Sequence, residues 1–337
     1  MTSLVVQTSF LGDMVLTTPL IAELAVRGPV DVVATPASAG LLDNNPSVRR
    51  VIVYDKRRSG RGIRGFRRIA RDMRASGADV VYLAQGSMRS AALAMAAGAG
   101  TRVGFASSAG RPLYSRTVPY RQDLHHAARL WQLAAPDRVP TTEQIRPRLY
   151  PGHAERAAVD ALIGASRDAR PLVALAPGSV WGTKRWPYYR ELARELAPAA
   201  RVVVLGSPDD CPLATEILAA AGPGAVDTTG ALSLLGSAEL IGRCAVLVTN
   251  DSAPQHLGSA MGTATVTVFG PTVPAFGFGP LAPHSIVVER AGLECRPCDK
   301  HGPPECPLGH WKCMRELPAR DVAAHVRHLL TIITQPT

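Results

Sequence analysis

Ten short runs rich in Val, Leu, Ile and Ala punctuate this chain, and most are apolar throughout rather than at every second position. They read as strands at 4–8, 30–35, 51–54, 79–84 and 102–105, and again at 172–176, 202–205, 225–228, 246–249 and 265–269. A strand apolar on both sides needs cover on both faces, which is the situation of a parallel sheet between two layers of helices. Helical patterns fall between the runs, near 13–27, 60–75 and 87–97, then near 187–198, 209–221, 233–243 and 253–261, with a last helix near 318–332. Strand and helix in alternation predict an α/β fold of two Rossmann-like, doubly wound parallel-sheet domains. The 337 residues suffice for two such cores.

The join is expected in the polar stretch 136–170, which holds Pro140, Pro147 and Pro151. The predicted domains are 1–165 and 166–316, followed by a closing helical segment, 317–337. Residues 290–316 depart from the pattern, being rich in Cys, Pro and Gly.

Hydrophobic residues make up 46% and charged residues 19%, which excludes a disordered chain. No apolar run reaches the roughly 18 residues of a membrane span. The N-terminus has neither a basic region nor a cleavage site of small residues, so the cytoplasm is the expected compartment.

Charge is unevenly placed. The net charge is +10, from 37 basic and 27 acidic residues. Residues 49–74 carry eleven Arg and Lys against Asp55 and Asp72, so this segment is +9 and the rest of the chain +1. Ile63, Phe66, Ala70 and Met73 recur on one helical face there, with Arg61, Arg64, Arg68 and Arg71 on the others. Either this is a solvated amphipathic helix or it faces an acidic partner: a phosphorylated acceptor, an anionic membrane or a nucleic acid.

Three strand-to-helix junctions hold residues suited to chemistry. The first, Ser9-Phe10-Leu11-Gly12-Asp13, follows the first strand. Gly12 would permit a tight turn. Asp13 is either an N-cap or a carboxylate aimed at a ligand as general base. The second, 177–187, reads PGSVWGTKRWP; its hydroxyls, backbone amides and Lys184 suit phosphate, although the Walker spacing is absent. Lys184 is one of only four lysines, and the alternative is an ordinary surface residue. The third, 249–260, reads TNDSAPQHLGSA. The amides around Ser252 and Ala253 would form an anion-binding helix start, Asp251 could accept from sugar hydroxyls, and His256 lies about one turn further on. There is no G-x-S-x-G elbow, no H-E-x-x-H and no G-x-G-x-x-G after the first strand, which weakens hydrolase, zinc-protease and dinucleotide oxidoreductase readings.

In this order and spacing, SFLGDMVLTTP, PGSVWGTKRWP and TNDSAPQHLGSA, together with AQGSMRSA at 84–91 and VFGPTVP at 268–274, resemble the ADP-heptose:lipopolysaccharide heptosyltransferases, glycosyltransferase family nine. The resemblance spans nearly the whole chain. It implies a GT-B fold whose two domains face each other across a cleft, the last helix packing back on the N-terminal domain. It implies an inverting, metal-independent transfer of heptose from ADP-heptose to an acceptor hydroxyl in lipopolysaccharide inner-core or related glycan assembly. Asp13 would be the base. Ser179, Thr183 and Lys184 would hold the diphosphate and adjacent sugar. Asp251, Ser252, Ala253 and His256 would meet the sugar and phosphates, Asp210 the ribose, and Leu232 the adenine. Ser9, Gly12, Gln85, Arg89 and the basic helix (Arg61, Arg64, Arg68) would face an anionic glycolipid or glycan, with peripheral contact to the inner face of the membrane and no nucleic acid. Where the family often has Gly, this chain has Ala253. No catalytic cofactor is expected.

Two other readings share parts of this pattern. One is a GT-B transferase using another nucleotide sugar on a natural product or protein. The other is a basic nucleic-acid or membrane-surface binding protein; aromatic residues, at 5%, do not interleave its Arg cluster.

Cys295, Cys298, Cys306 and Cys313 fall within 19 residues, as C-x2-C-x7-C-x6-C. Clustered cysteines without an oxidising compartment favour a structural zinc or iron over disulfides, with His301 and His310 as alternative ligands; reduced structural thiols or a redox-labile pair are the other readings. Cys211 and Cys244 are expected to be small buried residues.

Overall fold

A computed structural model describes residues 1–58, 60–164 and 168–334. The chain divides into two compact units, Met1–Tyr150 and Pro151–Thr337. That division falls inside the polar stretch expected to hold the join. The expected boundary itself, 165/166, lies outside the described residues, and within that stretch a helix forms that the sequence pattern did not reveal.

The first unit runs β1 (Ser3–Val6), α1 (Leu11–Ala25), β2 (Val30–Ala34), α2 (Pro36–Ala39), β3 (Arg50–Val53), α3 (Gly62–Arg74), β4 (Val80–Leu83), α4 (Met88–Ala96), β5 (Thr101–Phe105), β6 (Arg116–Val118), α5 (His126–Gln132) and α6 (Thr142–Ile145). Its six strands are all parallel, in the order β3-β2-β1-β4-β5-β6. β1 and β2 are buried at every position, as their unbroken apolar runs require. α1 is buried on almost every side and packs along α5.

The second unit runs α7 (His153–Ile163), β7 (Leu172–Ala176), α8 (Tyr189–Leu196), β8 (Arg201–Val204), α9 (Cys211–Ala221), β9 (Val226–Asp227), α10 (Leu234–Arg243), β10 (Val246–Asn250), α11 (Ala253–Met261), β11 (Ala264–Phe269), β12 (Ile286–Glu289), α12 (Lys312–Arg315) and α13 (Ala319–Thr334). Its sheet order, β12-β11-β10-β7-β8-β9, is again all parallel. Counted from its own first strand this is the same order as in the first unit, so one topology occurs twice. α13, expected to return to the N-terminal domain, has its apolar face in the second unit's core: Val322, Ala323, Val326 and Leu329 join Val173, Val246 and Leu192 there. Among the described residues no helix is long and apolar enough to cross a membrane.

In each sheet the strand order reverses beside the first strand, between β1 and β4 and between β7 and β10. Neighbouring loops diverge at such a point and leave a crevice at the carboxyl ends of the strands, where open α/β sheets bind ligands. All three junctions singled out in the sequence follow strands at these two switch points.

Candidate active site

In the first unit the chain leaves β1 through buried Thr8 and part-buried Ser9. Phe10, in extended conformation, is the N-cap of α1 and makes no side-chain capping bond. Asp13 is therefore the third helical residue and not the cap. Gly12, expected to permit the tight turn, is the second residue of the helix and has no positive φ. The Asp13 carboxylate is approached by Ser9 and His126, and the Asp13 backbone carbonyl by Thr17. Ser9 Oγ lies 2.5 Å from its Oδ2 and 2.6 Å from Gln7 Oε1, and its single proton serves one of them at a time. Thr17 Oγ1 donates to the Asp13 carbonyl at 2.6 Å and accepts from Gln7 Nε2 at 3.1 Å. His126 Nε2, at the start of α5, is 3.7 Å from Oδ1. The Asp13 side chain retains 20% exposure, enough for a substrate hydroxyl to reach an oriented carboxylate.

From β4, across the switch point, Gln85 accepts from the Thr8 N–H and hydroxyl at 3.0 and 2.7 Å, which ties the ends of β1 and β4 together. Arg89, on α4, lies over the Tyr54 ring and donates to the Gly60 carbonyl. Lys56 reaches in from the end of β3 and donates to the Thr8 carbonyl at 2.8 Å. Partial burial, and secondarily the Arg89 charge, lower its pKa. No carboxylate pairs with Lys56 or Arg89 among the described residues. Two cations that repel each other at a sheet edge make a place where an anion is stabilised.

Arg61, Arg64 and Arg68 are exposed on α3 or at its N-cap. The buried face of that helix is Gly65, Ile69, Ala70 and Met73. Ile63, expected on that face, is 71% exposed. The helix rolls because Gly65 packs directly on Gly60, where a Cβ would lie 2.3 Å from the Gly60 carbonyl carbon.

In the second unit Lys184 is buried, which removes the surface-lysine reading. Its Nζ donates to Asp251 Oδ2 at 2.6 Å. Thr272 Oγ1 donates to the same oxygen at 2.6 Å, and Gln255 Nε2 to Oδ1 at 3.0 Å. Both oxygens of Asp251 thus have protein donors, and the carboxylate expected to take sugar hydroxyls also holds the lysine. Ser252 caps α11 without a side-chain capping bond; Pro254 has no N–H and the Gln255 N–H donates to the Ser252 carbonyl at 3.2 Å, which leaves the Ala253 N–H at the electropositive helix start. His256 is buried one turn into α11, with Nε2 3.5 Å from Gln255 Nε2. Ser179 Oγ accepts from the Trp181 N–H at 3.3 Å. Thr183, 2% exposed, donates its hydroxyl to the Pro303 carbonyl.

Asp210 lies at the end of β8, its Oδ2 accepting from Ser207 N–H and Oγ at 2.9 and 2.8 Å. A Cβ at residue 178 would be 2.5 Å from both its carboxylate oxygens, so Gly178 is required for the β7 loop to meet this group. Leu232 is half-buried just ahead of α10. Its loop reaches the Asp210 loop through Gly230, whose N–H donates to the Gly206 carbonyl at 2.9 Å. The structure therefore gathers Ser179, Lys184, Asp210 and Asp251 to Ala253 along the carboxyl edge of one sheet.

The family model of glycosyltransferase family 9 (heptosyltransferase) matches residues 66–311. The chain belongs to this family. It is 31% identical to lipopolysaccharide heptosyltransferase 1 of Pseudomonas aeruginosa over 88% of this chain and 86% of the relative. It is 28% identical to lipopolysaccharide heptosyltransferase 2 of Escherichia coli over 81% and 84%. The solved structure of E. coli ADP-heptose lipopolysaccharide heptosyltransferase II superposes with a TM-score of 0.80 at 25% identity, covering 98% of this chain and 99% of that one. The fold is accordingly GT-B and the protein a glycosyltransferase.

The transferase's cysteines fall less simply than expected. Among the described residues no three His, Cys, Asp or Glu side chains are arranged to hold a metal ion. Cys313 is buried in the second unit's core, its thiol pushed up to about 11 by burial first and then by the neighbouring Cys298. Cys298 Sγ donates to the Cys295 carbonyl at 3.2 Å, and Cys295 Sγ lies 3.9 Å from His310 Nε2. Burial raises the Cys306 thiol pKa, but the backbone N–H groups of Trp311, Leu308, His310 and Gly309 outweigh it and bring the pKa below the usual value. Cys244 is buried as expected, its thiol pushed up to about 12. Cys211 is exposed, because it opens α9 at the surface beside Thr229.

Two residues near the site were missed in the sequence. His126 was invisible because α5 was not recognised, although His125 is a competent N-cap whose ring accepts from the Ala127 N–H. Lys56 was read only as part of the basic run.

Proposed function

We propose that this glycosyltransferase moves a heptose from ADP-heptose to a hydroxyl of an anionic lipopolysaccharide inner-core or related glycan acceptor, with inversion and without a catalytic metal. The reading is carried by family membership together with two complementary sets of residues: an oriented carboxylate at the first switch point, and a cation beside a helix start at the second. In a single displacement the acceptor oxygen attacks the anomeric carbon as the bond to the diphosphate breaks, and configuration inverts. Asp13 takes the hydroxyl proton. Ser9 and His126 hold the carboxylate for it. Lys184 and the start of α11 stabilise the charge that collects on the departing ADP, which is the role a divalent cation could otherwise fill. Asp210 and Leu232 receive the ribose and adenine. Lys56, Arg89, Gln85 and the arginines of α3 bind the acidic acceptor, and the same arginines would meet the inner face of an anionic membrane from the cytoplasm.

Calorimetric titration with ADP-heptose, ADP and UDP tests the donor. The expected result is binding of both adenine ligands in clear preference to UDP. Preference for UDP would change the donor class, and absence of all nucleotide binding would sink the transferase reading of the second unit's site.

The four clustered cysteines are proposed to hold a structural zinc or iron outside the chemistry. Cys295, Cys298, Cys306 and Cys313 would supply soft thiolate ligands, and the four amides over Cys306 suit a bound thiolate. The expected metal content of protein purified without a His-tag is about one ion per chain. Well under one would leave reduced structural thiols or a redox-labile pair.

A further inference from the structure

We propose that residues 301–304, in the loop between Cys298 and Cys306, form a positioning strap that sets the donor site's cation. The inference rests on the reading of Lys184 as that cation. Four consecutive residues of the strap meet the four residues 181–184. The His301 ring stacks on Trp181, with centroids 6.3 Å apart and planes 15° apart. Gly302 is buried, with φ +83°, and a Cβ there would lie 3.0 Å from Pro271 Cγ, 3.2 Å from Thr183 Oγ1 and 3.4 Å from Lys184 Cε, between the Lys184 loop and the loop that leads to Thr272. The Pro303 carbonyl accepts the Thr183 hydroxyl. The Pro304 carbonyl covers Gly182 so closely that a Cβ at 182 would be 2.4 Å from its oxygen.

The same segment also holds the other half of the ion pair. The Cys298 N–H donates to the Pro271 carbonyl at 2.9 Å, and Arg296 Nη2 to the Thr272 carbonyl at 2.8 Å. Thr272 in turn donates to Asp251. One stretch of chain thus braces the loop that carries Lys184 and the loop that orients Asp251. A lysine stem has many rotamers, and a buried ion pair is favourable only when its geometry is held, so packing on the stem decides where the ammonium stands. The bare Gly302, in a backbone conformation that side chains avoid, is what lets the strap lie against that stem.

Gly302→Ala tests this, with ADP affinity read by calorimetry and folding by thermal melting. The expected result is a fall in ADP affinity of about tenfold or more. His301→Ala is expected to weaken ADP binding in the same direction, and His301→Phe, which keeps a stacking ring, to restore it. If Gly302→Ala does not fold, the His301 pair decides alone. Wild-type ADP affinity in His301→Ala, and in Gly302→Ala where it folds, would overturn the strap while leaving the donor site standing. Failure of the wild type itself to bind ADP would overturn the donor-site reading, and the strap with it.

Discussion

Asp13→Ala is expected to lower turnover by about 10²–10⁴, the range for loss of a general base, while ADP affinity stays within about twofold of wild type. The asymmetry follows from where the determinants lie. Lys184, Asp210 and the start of α11 belong to the second unit, whereas Asp13 stands on α1 in the first. Asp13→Asn is the sharper variant. It keeps an oxygen that can accept from Ser9 Oγ and preserves the side chain's size, but cannot take a proton at neutral pH. Equal damage from Ala and Asn would place the function in the charge and its basicity. Near-normal turnover in Asn would reduce Asp13 to a structural acceptor for Ser9 and remove it from the role of base. A loss of ADP affinity matching the loss of turnover would point to misfolding, which a thermal melt of the same sample would show.

Much of this architecture was legible because its main constraint is local. A run such as Val246 to Asn250, buried at every position, admits little other than a central strand covered on both faces. What escaped was short or peripheral. β6 has three residues, two of them exposed, and β12 ends on an exposed Glu289; neither makes a continuous apolar signal. α7 buries only Val159 along its length, so its sequence looks like a linker.

The candidate site was legible where its loop directly follows a recognisable strand, as at Asp13, Lys184 and Asp251. It was illegible where the partner comes from far along the chain. His126 meets Asp13 across 113 residues, a separation fixed by the packing of α5 on α1. Lys184 and Asp251 were each singled out, but their pairing depends on the adjacency of β7 and β10, which strand patterns do not state. Thr183, given a donor-binding role by the resemblance, donates its hydroxyl to the distant Cys-rich segment, a contact the sequence does not state.

That pairing leads to the second large effect. Lys184 and Asp251 are 9% and 8% exposed. Removing one partner strands the other as a buried charge, a loss of about 3–5 kcal/mol. Lys184→Met is therefore expected to lower stability by that amount, read as a shift of the denaturation midpoint. It is also expected to weaken ADP binding by about 10–100-fold, through loss of a charge-assisted contact. The two effects separate in a second variant. Adding Asp251→Asn to Lys184→Met removes the stranded carboxylate but keeps a polar group for Thr272 and Gln255, so most of the stability should return. ADP affinity should not return, because the cation is still missing. Recovery of both together would mean that Lys184 acts on the donor only by holding the fold. Full stability in the single variant would mean that the pair is too well solvated to matter. The expected pattern, stability restored and affinity still lost, would identify Lys184 as the group that meets the diphosphate and Asp251 as the group that places it.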